Sequence, residues 1–176
     1  MTGGRPDRLE ASTFVLVRAV AYATLFIGLL LVFVPGRILE RSGMVRPAQL
    51  GAVEYSGIFL AAAGGGLALW CILTFVIVGR GTPAPFDPPR RLVIRGPYRF
   101  VRNPMYLGAA LALSGAALFY RSTALLGYAG LFLLAMHGFV VWYEEPTLGR
   151  LFGDDYRAYY ARVPRWLPRR GGGTSA

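Results

Sequence analysis

Four apolar stretches, at 14–34, 52–78, 104–119 and 123–143, limit what this chain can fold into. Each is long enough, or nearly so, to cross a hydrocarbon core about 30 Å thick. A mean hydropathy of +0.45 with 16% charged residues excludes an ordinary soluble domain. The expected fold is all-α: a polytopic membrane protein of about four transmembrane helices, ending in a helical hairpin and a cytoplasmic interfacial segment. Residues 1–12 read as a polar tail, 13–168 as one membrane-embedded domain and 169–176, ending in GGGTSA, as a disordered tail. The first stretch ends in VFVPGR without a small-residue cleavage site, so it is read as a retained helix that stops at Pro35-Gly36. In the second, Gly57, Ala61 and Gly65 recur every fourth residue, a spacing that lets helices approach closely.

The charge follows topology. The net charge of +10 comes from arginine alone, and with four spans fifteen of the 19 arginines fall on the side shared by both termini and the 79–103 loop. The positive-inside rule makes that side cytoplasmic, in a bacterial inner membrane. Basic residues there favour anionic lipid headgroups, so membrane lipids rather than nucleic acid are the expected partners. A single cysteine, Cys71, lies within an apolar stretch, and nothing resembles a metal-ligand cluster, so no metal is expected.

Only Tyr120-Arg121-Ser122 separates the last two stretches, which forces an antiparallel hairpin. Pro104 lies 17 residues before Arg121 and Glu144 lies 23 after it, so both ends return to one face. At 1.5 Å per residue the last helix projects about 9 Å further. RNPMY and YEEP should therefore meet, though roughly 40 residues apart in sequence. Pro104 suits the first turn of its helix, and Asn103 suits the N-cap. Downstream, Tyr156, Tyr159, Tyr160 and Val163 share one helical face, with tyrosine and arginine suited to the bilayer interface.

Glu144-Glu145 is the sharpest local feature. Adjacent carboxylates at a helix C-terminus oppose the macrodipole unless they are solvated, paired or used. Two readings stand: ion pairs to Arg99, Arg102 or Arg150, or a hold on a cationic or hydroxyl-rich ligand. His137, two turns earlier, is either a proton acceptor that orients substrate or a cross-helix hydrogen-bond partner. With Glu144 and Glu145 it makes up the candidate catalytic set. Arg95, Arg99 and Arg102 are explained by topology, with a direct ligand role as the alternative.

The blocks LVIRGPYRFVRNPMYLG and YEEPTLGRLFGDDYRAYYARVPRWLP together resemble the isoprenylcysteine carboxyl methyltransferase and phospholipid methyltransferase superfamily of integral membrane enzymes. The resemblance covers about residues 90–168. It implies S-adenosylmethionine-dependent methyl transfer at the cytoplasmic membrane face, to a small or lipid-like apolar acceptor. It further implies a cofactor site at Leu92, Val93, Gly96, Tyr98, Asn103, Pro104, Tyr106, Glu144 and Glu145. Two departures stand out. Asn103 occupies the place of the histidine in the family's HP-x-Y element. Val140 falls where prenylcysteine enzymes carry an arginine about one turn before the glutamates. An NADPH-dependent membrane reductase of related fold, or a non-catalytic membrane binding module, are the alternative readings.

Overall fold

The computed structural model describes residues 24–44, 46–79 and 92–168. The two expected tails, the first part of the 14–34 stretch and most of the proline-rich loop after residue 79 lie outside the described residues. Among the described residues every regular element is a helix.

A π-helical turn, Gly28–Phe33, runs directly into α1, Val34–Arg41. Pro35-Gly36 therefore does not end this helix. Proline removes a donor and crowds the carbonyl four residues back. Here Val34 N–H reaches Leu29 O instead, and this five-residue register just ahead of Pro35 lets the helix continue. Helix α2 spans Ala52–Thr74 and continues into a second π turn, Phe75–Gly79. After the loop, a 3-10 turn at Gly96–Arg99 leads to α3, Pro104–Phe119. Helix α4, Thr123–Phe139, passes through a third π turn, Val140–Glu144, into α5, Glu145–Arg162. Inside α5, Gly153 has φ 51° and ψ −121°, a kink where the chain leaves helical geometry.

Helices α2 and α3 form the tightest pair, and glycine is the reason. A Cβ on Gly57 would lie 2.6 Å from Phe119 N, and one on Gly108 would lie 2.8 Å from Gly64 O. The seam on α2 runs Gly57, Ala61, Gly64, Ala68, facing Gly108, Ala112 and Gly115 on α3. Gly65, expected in the seam, faces open space, because the repeat alternates between four and three residues and not four throughout.

The hairpin is fixed at its tip. Ser122 caps α4 by accepting Leu125 N–H, and Arg121, with φ 49°, makes the tight turn. Arg121 Nε donates to Glu54 Oε1 at 2.6 Å, while Glu54 Oε2 accepts Gly51 N–H at 2.8 Å. The start of α2 and the α3–α4 turn are thereby tied at one end of the bundle. Tyr128 Oη donates to Leu30 O and ties in the first described helix.

Two of the helices, Ala52–Thr74 and the continuous run Thr123–Arg162, are long and apolar enough to cross a membrane, and Pro104–Phe119 is a shorter apolar helix. Phe59, Leu131 and Leu134 are 75, 62 and 67% exposed. Such a bare apolar flank suits lipid and not water. Among the described residues the fold is all-helical, with the bare apolar flanks and helix lengths that suit a membrane protein.

Candidate functional site

The bundle end opposite the Glu54–Arg121 tie gathers the residues that carry chemistry. Pro104 occupies the first turn of α3, where its missing N–H costs nothing. Asn103 makes no side-chain cap. Its Nδ2 donates across to Arg165 O at 3.3 Å instead. One turn into α3, Tyr106 Oη donates to Glu144 Oε2 at 3.1 Å, joining the two motifs across 38 residues of sequence.

The two glutamates have different partners. Glu145 is held by Arg165, whose Nε and Nη2 each donate at 2.8 Å, one to each carboxylate oxygen. Arg102 Nη1 lies 3.1 Å from the same carboxylate. Glu144 has Tyr106 in place of an arginine. Burial pushes its carboxyl up to about 7; Glu145 adds to the rise, and the Tyr106 hydrogen bond opposes it.

Residues 163–168 return over this end as a strap. Arg102 N–H donates to Pro164 O at 2.9 Å, and Tyr159 Oη donates to Tyr98 O at 2.6 Å. The Arg102 guanidinium also lies 3.9 Å above the Tyr160 ring. Together Arg102, Asn103, Glu144, Glu145, Leu148, Tyr156 and Tyr159 line a small cleft, partly open to solvent, with a cavity volume of about 20 Å³. Burial raises the hydroxyls of both tyrosines, that of Tyr156 to about 12, so they remain protonated donors at neutral pH.

Of the residues expected at a cofactor site, Asn103, Glu144 and Glu145 line this cleft and Tyr106 bonds to it. Pro104 starts the helix behind it. Tyr98 packs just beneath, with Val93 and Cys71, and Leu92 packs against the Tyr156–Tyr159 group. Gly96, with φ 58°, makes the turn that presents Tyr98, and a Cβ there would meet Thr74 Oγ1 at 2.9 Å. Val140, which the resemblance sets where prenylcysteine enzymes carry an arginine, is only 1% exposed. His137 is not in this group. Its Nδ1 accepts Trp166 Nε1–H at 2.9 Å on an exposed flank. Sequence reasoning left out Arg165 and the cleft role of Leu148. The signal for a second cation was the glutamate pair itself, which a single arginine does not neutralise.

The site is thus a cleft at one end of the bundle with one paired carboxylate, one carboxyl raised by burial and a buried guanidinium. No group of three or more His, Cys, Asp or Glu able to hold a metal occurs among the described residues. The family model described as phospholipid methyltransferase matches residues 53–155, more than half of the chain. Methanethiol S-methyltransferase 1 of Bradyrhizobium diazoefficiens is 34% identical over 102 residues, covering 53% of this chain and 30% of that protein. The chain therefore spans less than a third of that relative's length.

Proposed function

This chain belongs to the phospholipid methyltransferase family, and from that premise we propose that it transfers a methyl group from S-adenosylmethionine to a small or lipid-like apolar acceptor at the cytoplasmic membrane face. The observation that carries this reading is the meeting of Tyr106 with Glu144 in a cleft at one end of the apolar bundle.

The residues present fit the donor. Glu144, ionised, is a partner for its ammonium or ribose hydroxyls, with the Tyr106 hydroxyl holding that carboxylate in place. When bound, S-adenosylmethionine supplies an electrophilic methyl on a sulfonium. The protein's own contribution is position and exclusion of water: glycine-tight packing of α2 on α3, and the strap from Val163 to Pro168, hold the walls still. Asn103 keeps hydrogen-bonding capacity where a histidine would also move protons, so a thiolate acceptor, which needs no general base at the transfer step, suits the site. The named activity of the Bradyrhizobium relative, methylation of methanethiol, agrees with such an acceptor. Val140 offers no cation, so a prenylcysteine carboxylate lacks a partner at that helix position.

Calorimetric titration of the detergent-purified protein tests the donor. S-Adenosylmethionine should bind saturably and NADPH should not, and Glu144→Gln with Glu145→Gln should weaken binding by about tenfold or more. Binding of NADPH alone, or affinity for S-adenosylmethionine unchanged in the double variant, would overturn the reading.

A further inference from the structure

The cleft is closed. Its cavity of about 20 Å³ has room for about one water, far below the roughly 300–1,000 Å³ of ordinary ligand sites. An organic ligand can enter only by moving a wall, and the two walls are built differently. Arg102, Asn103, Glu144, Glu145 and Leu148 lie on chain that joins the bundle helices directly. Tyr156 and Tyr159 come after Gly153, where the backbone leaves helical geometry at φ 51° and ψ −121°. A Cβ on Gly153 would meet nothing within 4 Å, so glycine serves the backbone conformation there and not close packing.

Beyond that point residues 154–168 form an arm. Its side chains Tyr156, Tyr159 and Val163 pack on Leu148 and Phe152 of α5 itself and on Leu92, whereas the core cluster of Leu113, Ala129 and Phe132 is built on α3 and α4. Polar ties at Tyr159, Pro164, Arg165 and Trp166 fasten the arm to the bundle. The last of these stands apart. Trp166 Nε1–H donates to His137 Nδ1 at 2.9 Å on an exposed flank, at the end of the arm farthest from Gly153. Leu134, three residues before His137, is 67% exposed on the apolar surface of α4, so this bond is made on the side of the bundle that suits lipid.

We propose that residues 154–168 are a hinged lid over the cleft, turning at Gly153 and latched by His137 on Trp166. Opening draws Tyr156 and Tyr159 away from Arg102, Asn103 and the glutamates, and it parts Arg165 from Glu145. It also breaks the bond from Arg102 N–H to Pro164 O. His137 is here a positioning residue, acting on the cleft through the arm. The latch needs an acceptor at the place of Nδ1, which the amide oxygen of asparagine supplies and phenylalanine does not. The lid follows from the closed cleft and the hinge, so it holds whichever ligand enters.

Hydrogen exchange resolved to single residues, on the full-length protein in lipid nanodiscs without added ligand, tests the lid. The Arg102 amide is the reporter, because its bond to Pro164 O lasts only while the arm is down. In the wild type it should exchange at least about tenfold faster than the amides of Leu113 and Phe132 in the bundle core. His137→Phe should speed exchange at Arg102 by about threefold to tenfold, the loss of one hydrogen bond, and leave the core amides unchanged. His137→Asn should stay within about twofold of the wild type. Gly153→Ala, which draws that residue toward negative φ, should speed the same amide. An Arg102 amide as slow as the core in the wild type means that the arm opens only when the whole bundle unfolds, and it overturns the proposal without recourse to any variant. Exchange in His137→Phe that equals the wild type, or that rises equally at every amide, overturns it too. So does His137→Asn behaving like His137→Phe.

Discussion

Glu144 and Glu145 sit side by side in a helix that does not end at them, as their place after an apolar run implied, but runs on through the π turn into α5. What sets the two carboxylates apart is their mutual repulsion and their unequal surroundings. Glu145 is neutralised by arginine, whereas Glu144 is buried beside a tyrosine and titrates near 7. The sign of the consequence is definite. An unfolded glutamate ionises above about 4.5 and this one only above about 7, so its contribution to stability worsens as pH rises between those values and stays constant beyond. Glu144→Gln should therefore stabilise the protein at pH 8 by on the order of 1–3 kcal/mol and do little at pH 4, read as shifts in Tm. Affinity for a cationic ligand should rise from pH 6 to pH 8 in the wild type and stay flat in that variant. The pairing of Tyr106 with Glu144 is legible in the sequence, because the three-residue hairpin turn and the helix lengths bring both to one level. The place of His137 is not. Seven residues separate it from Glu144, which in an unbroken α-helix would put both on one face. The π turn at Val140–Glu144 turns less per residue and shifts that phase, leaving His137 against Trp166. Arg165 is illegible for another reason: its position depends on the strap's return along Arg102, a long-range backbone contact without a local signature.

The pairing of α2 with α3 shows what a spacing rule can and cannot resolve. Gly57 and Ala61 are in the contact as the four-residue spacing implies, but the third member is Gly64, and the facing glycines of α3 come only from the structure. Gly115 should be the most sensitive, since a Cβ there would lie 2.6 Å from Gly57 O with backbone, not a flexible side chain, in the way. Gly115→Ala should cost about 1–3 kcal/mol and lower Tm, whereas Gly65→Ala, with nothing within 4 Å, should be neutral or up to about 1 kcal/mol stabilising. Parallel thermal melts of the two variants check this. Equal shifts would mean that the seam is not tightly packed. The Pro35-Gly36 pair teaches the complementary lesson. Its composition reads as a stop, and only the π turn ahead of it, invisible to periodicity, explains why the helix runs on to Arg41.

For the whole molecule, membrane character, helical class and family were all legible, because each depends on composition or on two long motif blocks rather than on register. The cleft's lining depended on how three chain segments close at one end, which no single segment encodes. That closure has a mechanical side. Thr123 to Tyr143 is a helical run of 21 residues, about 32 Å at 1.5 Å each, close to the hydrocarbon thickness it would cross, with Glu144 just beyond it. The far tip is fastened by Glu54 and Arg121, and the near end carries both glutamates. A run pinned at its tip acts as a lever: when the surrounding bilayer thins or thickens, it answers by tilting, and the carboxyls swing against the shorter Pro104–Phe119 helix that carries Tyr106. In nanodiscs of graded acyl length, ligand affinity should peak at one thickness and fall on both sides, and cutting the Glu54–Arg121 tie with Arg121→Ala should flatten that peak. Lipid thickness would then act on this site as an effector does, with no binding pocket of its own.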